Sequence, residues 1–428
     1  MNQIGTMADA VVVGGGLAGL TAAAYLARAG ERVMVVEQAR DLGGRARTNH
    51  EGGFSFNLGP HAVYLAGAGA QVLRELNIPF PGGQPGGGSF LFSHGRLHTL
   101  PEGFVSLAST GLFGLREKLE LAGLMTRIQR VETDSIAHVR FADWLAAEIE
   151  TEGVRELLTT LIRVATYTHP TQDMSAGAAI RQLQLASNSG VRYVDGGWQT
   201  LVDALRNHVL ANGGEIVTGR AVRSVAQGVV LDDGTTLNAR SVILAGSPGM
   251  VAYLTGIREW EATRVPVHAA CLDVALRSLP HSGNRAAFGM QEPLYASVHS
   301  AVARLAPDGG ALVHIARYGG LQGRDPQHVR EELEDLLDRL QPGWRAHVVK
   351  TRFLPGLTVS HAAVLAAQGG LAGRPPVAVQ GRPGLFLAGD WVGSEGMLAD
   401  ASFASGRRAA QLARHTPRPE EAHALQVC

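Results

Sequence analysis

Val11-Val12-Val13-Gly14-Gly15-Gly16-Leu17-Ala18-Gly19-Leu20 is the stretch whose reading decides the fold. Three β-branched residues run into the spacing G-x-G-x-x-G, carried by Gly14, Gly16 and Gly19. With 54 glycines among 428 residues, almost twice the ordinary share of about 7%, that spacing alone is weak evidence. Its surroundings strengthen it. Residues 11–13 read as a strand, 20–29 as a helix closed by Gly30, and 33–37 as a second strand, which together make a βαβ unit. In such a unit the first glycine permits a tight turn, the second lets backbone approach a pyrophosphate, and the third lets helix and strand pack closely. The amides at the start of the helix, around Leu17 and Ala18, then face phosphate charge. Glu37 ends the second strand 23 residues after Gly14, where a carboxylate bonds ribose hydroxyls and repels the extra phosphate of a 2′-phosphorylated dinucleotide.

Composition bounds the rest. The length is two to three times that of one ordinary domain, so two domains are expected, each with ample core. Apolar residues make up 45%, charged residues 18%, and the formal net charge is zero, which gives no reason to expect a nucleic-acid partner. Two cysteines, Cys271 and Cys428, make neither a disulfide framework nor a thiolate metal site, and the scattered histidines have no zinc-like spacing, so no metal is expected. The N-terminus shows no export signal, and no apolar run approaches the roughly 20 residues needed to cross a bilayer. A cytoplasmic protein is expected, with any membrane contact peripheral.

Further along, residues 81–89 (PGGQPGGGS) read as a surface loop, and a helical region follows over about 115–148. There Leu115, Leu119, Ala122, Met125 and Ile128 recur at helical spacing between Arg116, Lys118, Arg127 and Arg130. That face packs on a core or lies on a membrane surface. Strand-like runs at 267–276, 311–318 and 347–353 with a helix over 326–340 give an α+β texture, and the chain closes with a strand at 385–388, a Gly-Asp turn and a helix through 402–413. The expected organisation is a discontinuous dinucleotide-binding domain over 1–100, 191–250 and 371–416, a second domain over 101–190 and 251–370, and a tail at 417–428.

The segment Asp41-Leu42-Gly43-Gly44-Arg45-Ala46-Arg47-Thr48 resembles the R-x-x-G-G-R-x-x-[ST] signature that follows the first βαβ unit in flavin amine oxidases, phytoene desaturases and protoporphyrinogen oxidases. Gly43 and Gly44 let backbone pass close to a cofactor, and Arg45 offers a forked cation to phosphate oxygens. The stretch 56–61 with Gly59, Pro60 and His61 is similar to the family's passage beside the isoalloxazine ring. Gly389-Asp390, then Gly396-Met397-Leu398, is similar to its final flavin motif, with Asp390 toward the ribityl hydroxyls and the helix amides toward flavin N1 and O2. Val222, after Gly213-Gly214, matches a strand beside the adenine. The resemblance covers roughly half of the chain. It implies an α/β fold, a Rossmann-like FAD-binding domain with a second α+β substrate domain of the amine oxidase and phytoene desaturase kind.

Two departures shape the expected chemistry. Family members with covalent flavin use a cysteine ahead of the last motif, and here none lies between Cys271 and Cys428, so FAD is expected to be non-covalent. Amine oxidases of the family carry an active-site lysine on a substrate-sheet strand, whereas this chain has only Lys118 and Lys350, neither in the run 265–276. A desaturase-like or dehydrogenase-like hydride transfer from a C–H bond of a mostly apolar small molecule is therefore expected, with O2 or another electron acceptor. Amine oxidation, a flavin-dependent isomerisation and a non-catalytic lipid carrier like the Rab GDP-dissociation inhibitors are the alternatives. Trp391 is the candidate for an aromatic wall, and His299, His314 and Arg317 for polar substrate contacts, in a stretch unusually polar for inner strands. His61, His268, Tyr64, Tyr167, Tyr193 and Tyr295 lie in segments able to line a cavity.

Overall fold

The computed structural model describes residues 7–101, 106–107, 110–226 and 228–417. The expected tail falls outside these but for residue 417, and Cys428 with it. Two seven-stranded sheets organise the chain.

The first runs in the order Glu215–Thr218, Val33–Glu37, Met7–Val13, Thr236–Leu244, Leu385–Leu387, all parallel, with Val229–Leu231 and Val222–Ser224 added antiparallel beyond Thr236–Leu244. A parallel strand covered on both faces must be apolar at every position, and Val11, Val12, Val35 and Val36 are all 0–1% exposed. Each such side chain contributes roughly 1.5–3 kcal/mol by leaving water. The first helix, Leu17–Arg28, lies on this sheet between Gln199–Ala211 and the last helix, Leu398–Arg414. Its alanines keep it thin. At Gly19 even a methyl group has no room, because a Cβ there would stand 1.9 Å from the Gly14 carbonyl oxygen. The last helix crosses just as closely, with a Cβ on Gly406 falling 2.4 Å from the Ala18 carbonyl oxygen.

The second sheet runs Val348–Ser360, Val267–Leu276, Ala311–Tyr318, Leu294–Val298, Ala286–Gly289, Ser89–Ser93, Arg96–Thr99. Two of its strands thus come from the stretch before residue 100. Successive side chains alternate between faces. Leu272, Val274, Val313 and Ile315 pack on the amphipathic helix Pro326–Leu340, while Ala269, Cys271, Ala316, Tyr318 and Tyr295 face the other way, toward the cofactor sheet. The Asp325 carboxylate caps that helix, accepting from the Gln327 and His328 amides at 2.9 and 3.1 Å.

Helices Leu115–Arg127, Phe141–Glu148, Glu152–Thr166 and Ala176–Ser189 form a third body with its own core of Leu121, Leu124, Phe141, Leu157, Ile162 and Ile180. Here the structure departs from the periodicity reading. Leu121, Leu124 and Ile128 turn inward against Glu152–Thr166, whereas Leu115, Leu119 and Met125 are 75%, 67% and 43% exposed. Both stripes have helical spacing, and the packing partner decides between them. No helix among the described residues is long and apolar enough to cross a membrane.

Candidate functional site

One cavity of about 1120 Å³ runs between the two sheets. Glu37, Val222 and Asp232 line one part, Gly14, Gly16, Leu17, Ala18, Gly43, Gly44 and Arg45 another, and Gly59, Pro60, His61, Cys271 and a group of tyrosines a third.

The glycine turn builds the first wall. Gly14 adopts φ +112°, and a Cβ on it would lie 2.5 Å from the Ala245 carbonyl oxygen, so the strand end can turn under the helix only as glycine. The Gly14 amide donates to Val36 and the Gly43 amide to Gly15, each at 2.8 Å, which ties the second glycine segment to the first. The Glu37 carboxylate accepts from the Gly15 amide at 2.6 Å and the Ala39 amide at 2.8 Å. Its position at the cavity edge is thereby fixed.

Arg45 meets Asp390 across 345 residues of sequence, its guanidinium 2.9 Å from both carboxylate oxygens. It also donates to the Val359 carbonyl at 2.8 Å, and Asp390 accepts in addition from the backbone amide and Nδ1 of His361, both at 2.9 Å. Burial works against a charged Asp390, but Arg45 and His361 outweigh it and hold the carboxyl well below the ordinary range. His361 completes this cluster, and no local signal marks it in the sequence. The last helix opens at Leu398 with φ +53°, a left-handed conformation rare for a branched residue, and Leu398 lines the cavity. Two residues on, Asp400 is 4% exposed; one oxygen accepts from the Gly69 amide at 2.7 Å and the other has no partner. Burial pushes its pKa up to about 7, Glu395 adding to the rise and the Gly69 amide opposing it.

The third part is aromatic. Tyr64, Tyr167, Tyr193 and Tyr295 surround it with Val164, Val191, Cys271 and Leu357, and among the described residues no lysine lines any of the cavity. Lys350 instead pairs with Glu51 on the surface. Burial raises all four phenols and the Cys271 thiol, so these groups are neutral walls at ordinary pH. Burial also drives His61 down to about 4 and His299 well below its ordinary range.

Of the residues singled out from the sequence, Gly14, Gly16, Leu17, Ala18, Glu37, Gly43, Gly44, Arg45, Gly59, Pro60, His61, Val222, Gly389, Asp390, Leu398 and His299 all line this one cavity. Gly19, Gly396 and Met397 stand behind its wall: Gly19 on the Gly14 carbonyl, Gly396 against Asp400, Met397 within the helical core. Trp391 does not reach the cavity. It is fully buried, donates to the Gly246 carbonyl at 2.9 Å and packs on Trp260. Arg317 points to the opposite face of its strand, where it pairs with Glu332 of the Pro326–Leu340 helix at 3.0 Å. His268 is exposed, and His314 lies one layer behind His299.

The family described as flavin containing amine oxidoreductase matches residues 17–413. The chain belongs to that family. That family's description names a flavin and oxidoreductase chemistry. Among characterised relatives, a coproporphyrinogen III oxidase from Propionibacterium freudenreichii is 27% identical over 304 residues, 57% of this chain and 58% of that one. A carotenoid 3,4-desaturase from Haloarcula japonica is 52% identical over 52 residues, 12% of this chain and 10% of the desaturase. The chain thus spans less than two thirds of these relatives' lengths. Among solved structures, an oxidoreductase from Methanosarcina mazei superposes with a TM-score of 0.76 at 19% identity, over 94% of this chain and 99% of that one.

The residues present fit FAD. A continuous cavity joins the Glu37 edge, the amide-rich start of Leu17–Arg28 and the start of Leu398–Arg414, and at Gly16 and Gly44, where a Cβ would meet nothing nearer than 3.9 Å, the missing side chains leave the space open. The amides of Leu17 and Ala18 would hold the pyrophosphate, Glu37 the ribose, and the opening turn of Leu398–Arg414 the electron-rich edge of the ring. FAD supplies a two-electron acceptor.

Proposed function

We propose that this flavin oxidoreductase removes a hydride from a C–H bond of a mostly apolar small molecule and leaves a carbon–carbon double bond. The observation that carries this reading is the aromatic part of the cavity, where Tyr64, Tyr167, Tyr193 and Tyr295 stand with Val164, Val191 and Leu357 and, among the described residues, no lysine is present. Neutral, desolvated rings favour an apolar guest, and their faces stabilise positive charge that develops as a hydride leaves. The protein's own contribution is orientation and exclusion of water, which requires few acid or base groups. The named activity of the carotenoid 3,4-desaturase that resembles 52 residues of this chain agrees with this reading. Oxidation of an amine, with O2 as acceptor, is the second reading and rests on the family description.

The deciding experiment is an anaerobic titration of the yellow holoprotein with a panel of apolar polyenes and isoprenoids and a panel of amines, following the flavin band near about 450 nm. Bleaching by the apolar panel alone supports the proposal; bleaching by amines alone overturns it. Apolar substrates reside in membranes, and the exposed Leu115, Leu119 and Met125 beside Arg116 and Arg127 suit a peripheral contact from the cytoplasmic side. Flotation with anionic liposomes that persists undiminished in Leu119→Glu would remove that part of the proposal.

A further inference from the structure

Behind the aromatic wall the second sheet carries a row of polar side chains that packing alone does not require. Four adjacent strands place Ser297, His314, Asp273 and Arg352 directly opposite one another. The next row toward the cofactor is Tyr295, Ala316, Cys271 and Leu354, of which Tyr295 and Cys271 line the cavity. A polar row beneath a neutral lining is costly unless its groups are joined. Three of these are joined: His314 Nδ1 lies 2.5 Å from an Asp273 carboxylate oxygen and Arg352 binds the other oxygen at 2.6 Å, while the Ser297 hydroxyl lies 3.3 Å from that of Tyr193. Arg352 also donates to the Asn57 carbonyl and is 17% exposed at its side chain, so this end approaches solvent.

The other end reaches the cavity through His299. Its ring stacks on Tyr193 at 3.7 Å, its Nε2 is 3.3 Å from the Tyr295 hydroxyl, and the His314 ring stands edge-on at 4.6 Å. In this file of side chains two ring nitrogens are buried with no hydrogen-bond partner, Nδ1 of His299 and Nε2 of His314, and they belong to the two neighbouring rings. His299 is 1% exposed and His314 is fully buried. An orphaned nitrogen at such depth loses the free energy of a hydrogen bond, and since neither nitrogen bonds the other, the two imidazoles meet edge to face.

We propose that His299 accepts the proton lost by the substrate during oxidation, and that His314 and Asp273 are the positioning residues that hold its imidazole ready. The proposal rests on the hydride-transfer reading above. With FAD bound, the flavin would take up the hydrogen of one substrate C–H bond together with its electron pair. Positive charge on that carbon acidifies the neighbouring C–H, whose proton passes to His299 Nε2 while its electrons become the new π bond. The imidazolium so formed lies edge-on to the His314 ring, whose Nδ1 is held by the Asp273 carboxylate. Burial keeps His299 unprotonated, with His314 and His61 opposing a further positive charge beside it; Tyr193 and Tyr295 are the remaining titratable groups against it. That is the form a base requires.

The test has two arms on the holoprotein. In the first, which needs no substrate, long-range proton–nitrogen NMR spectra of histidine-labelled wild type, His299→Gln and Asp273→Asn report ring tautomers, with flavin absorbance confirming that each variant holds FAD. The proposal expects Asp273→Asn to shift the resonances of both His314 and His299, and resonances of His299 that ignore Asp273→Asn overturn the coupled file. In the second, anaerobic flavin reduction by whichever panel member bleaches the wild type is followed against pH. His299→Gln should slow it by roughly 10²–10⁴-fold with substrate affinity kept and the acid limb of the profile lost. Tyr295→Phe, which removes only a hydroxyl, should slow it several-fold, and Asp273→Asn should move the acid limb rather than abolish it. A His299→Gln rate within about threefold of wild type with an unaltered pH profile overturns the role of His299. If no compound bleaches the wild type, the hydride-transfer reading fails, while the first arm still decides whether the file is coupled.

Discussion

Asp400→Asn separates the part of the molecule's stability that depends on pH from the part that does not. Asp400 sits in the first turn of Leu398–Arg414, accepts from the Gly69 amide and is 4% exposed, with its second oxygen unpartnered. Burial lifts its pKa from the ordinary 3.8 to about 7. A carboxyl raised in the folded state binds its proton more tightly there than in the unfolded chain. Its stabilising contribution is therefore complete below pH about 4 and is lost as pH rises to about 7. That interval, at roughly 1.4 kcal/mol per pH unit, amounts to about 4 kcal/mol. Asparagine cannot ionise, keeps an oxygen for the Gly69 amide and has nearly the same shape. Urea unfolding midpoints of the two proteins, compared at pH 5 and pH 8, should show the variant gaining on wild type by a few kcal/mol across the interval. A difference between the two that does not change with pH would refute the reasoning, because it would mean that Asp400 is ionised throughout.

Three further outcomes are expected. Gly19→Ala forces a methyl group to within 1.9 Å of the Gly14 carbonyl oxygen, so the helix must move off the sheet; bound flavin per chain should fall by more than tenfold, and full retention would show that the turn can yield. Arg45→Lys keeps the charge but loses the fork that meets both oxygens of Asp390; FAD dissociation should increase roughly 10–100-fold, corresponding to about 1.5–3 kcal/mol, as read by fluorescence of released flavin. Cys271 is a neutral, buried thiol, so acid precipitation should leave all of the yellow colour in the supernatant, and a coloured pellet would mean a covalent link.

The parts of the site that were legible in the sequence are those where a backbone requirement and a chemical one fall within a few residues. Gly14, Gly16 and Glu37 belong to one βαβ unit, and Gly43 and Gly44 follow at once, so local order implies spatial order. The substrate side is different, because it depends on strand register. Arg317 and His314 look equivalent in a polar run, yet odd and even positions of Ala311–Tyr318 face opposite ways, and only the pairing of Asp273 with His314 shows which face meets the cavity. Trp391 follows the Gly-Asp turn directly and was a reasonable wall candidate, but the turn carries its indole toward Gly246. His361 lies just past the end of Val348–Ser360, and its partner Asp390 is 29 residues on, beyond any short motif. The helix Glu152–Thr166 did have a readable period in Val154, Leu157, Leu158 and Ile162, whereas Ala176–Ser189 buries mostly alanine and glycine, whose small side chains leave little pattern.

The close crossing of Gly406 over Ala18 has a consequence for how the chain is made. The first strand ends at Val13 and its sheet is closed by Leu385–Leu387, about 370 residues later. At roughly 5–20 residues per second, a ribosome needs on the order of 20–75 seconds to deliver that strand and the helix that seats on Ala18. Throughout that time the nascent βαβ unit has an open sheet edge and no roof. Flavin capture that draws on the start of Leu398–Arg414 is therefore a late event in biogenesis.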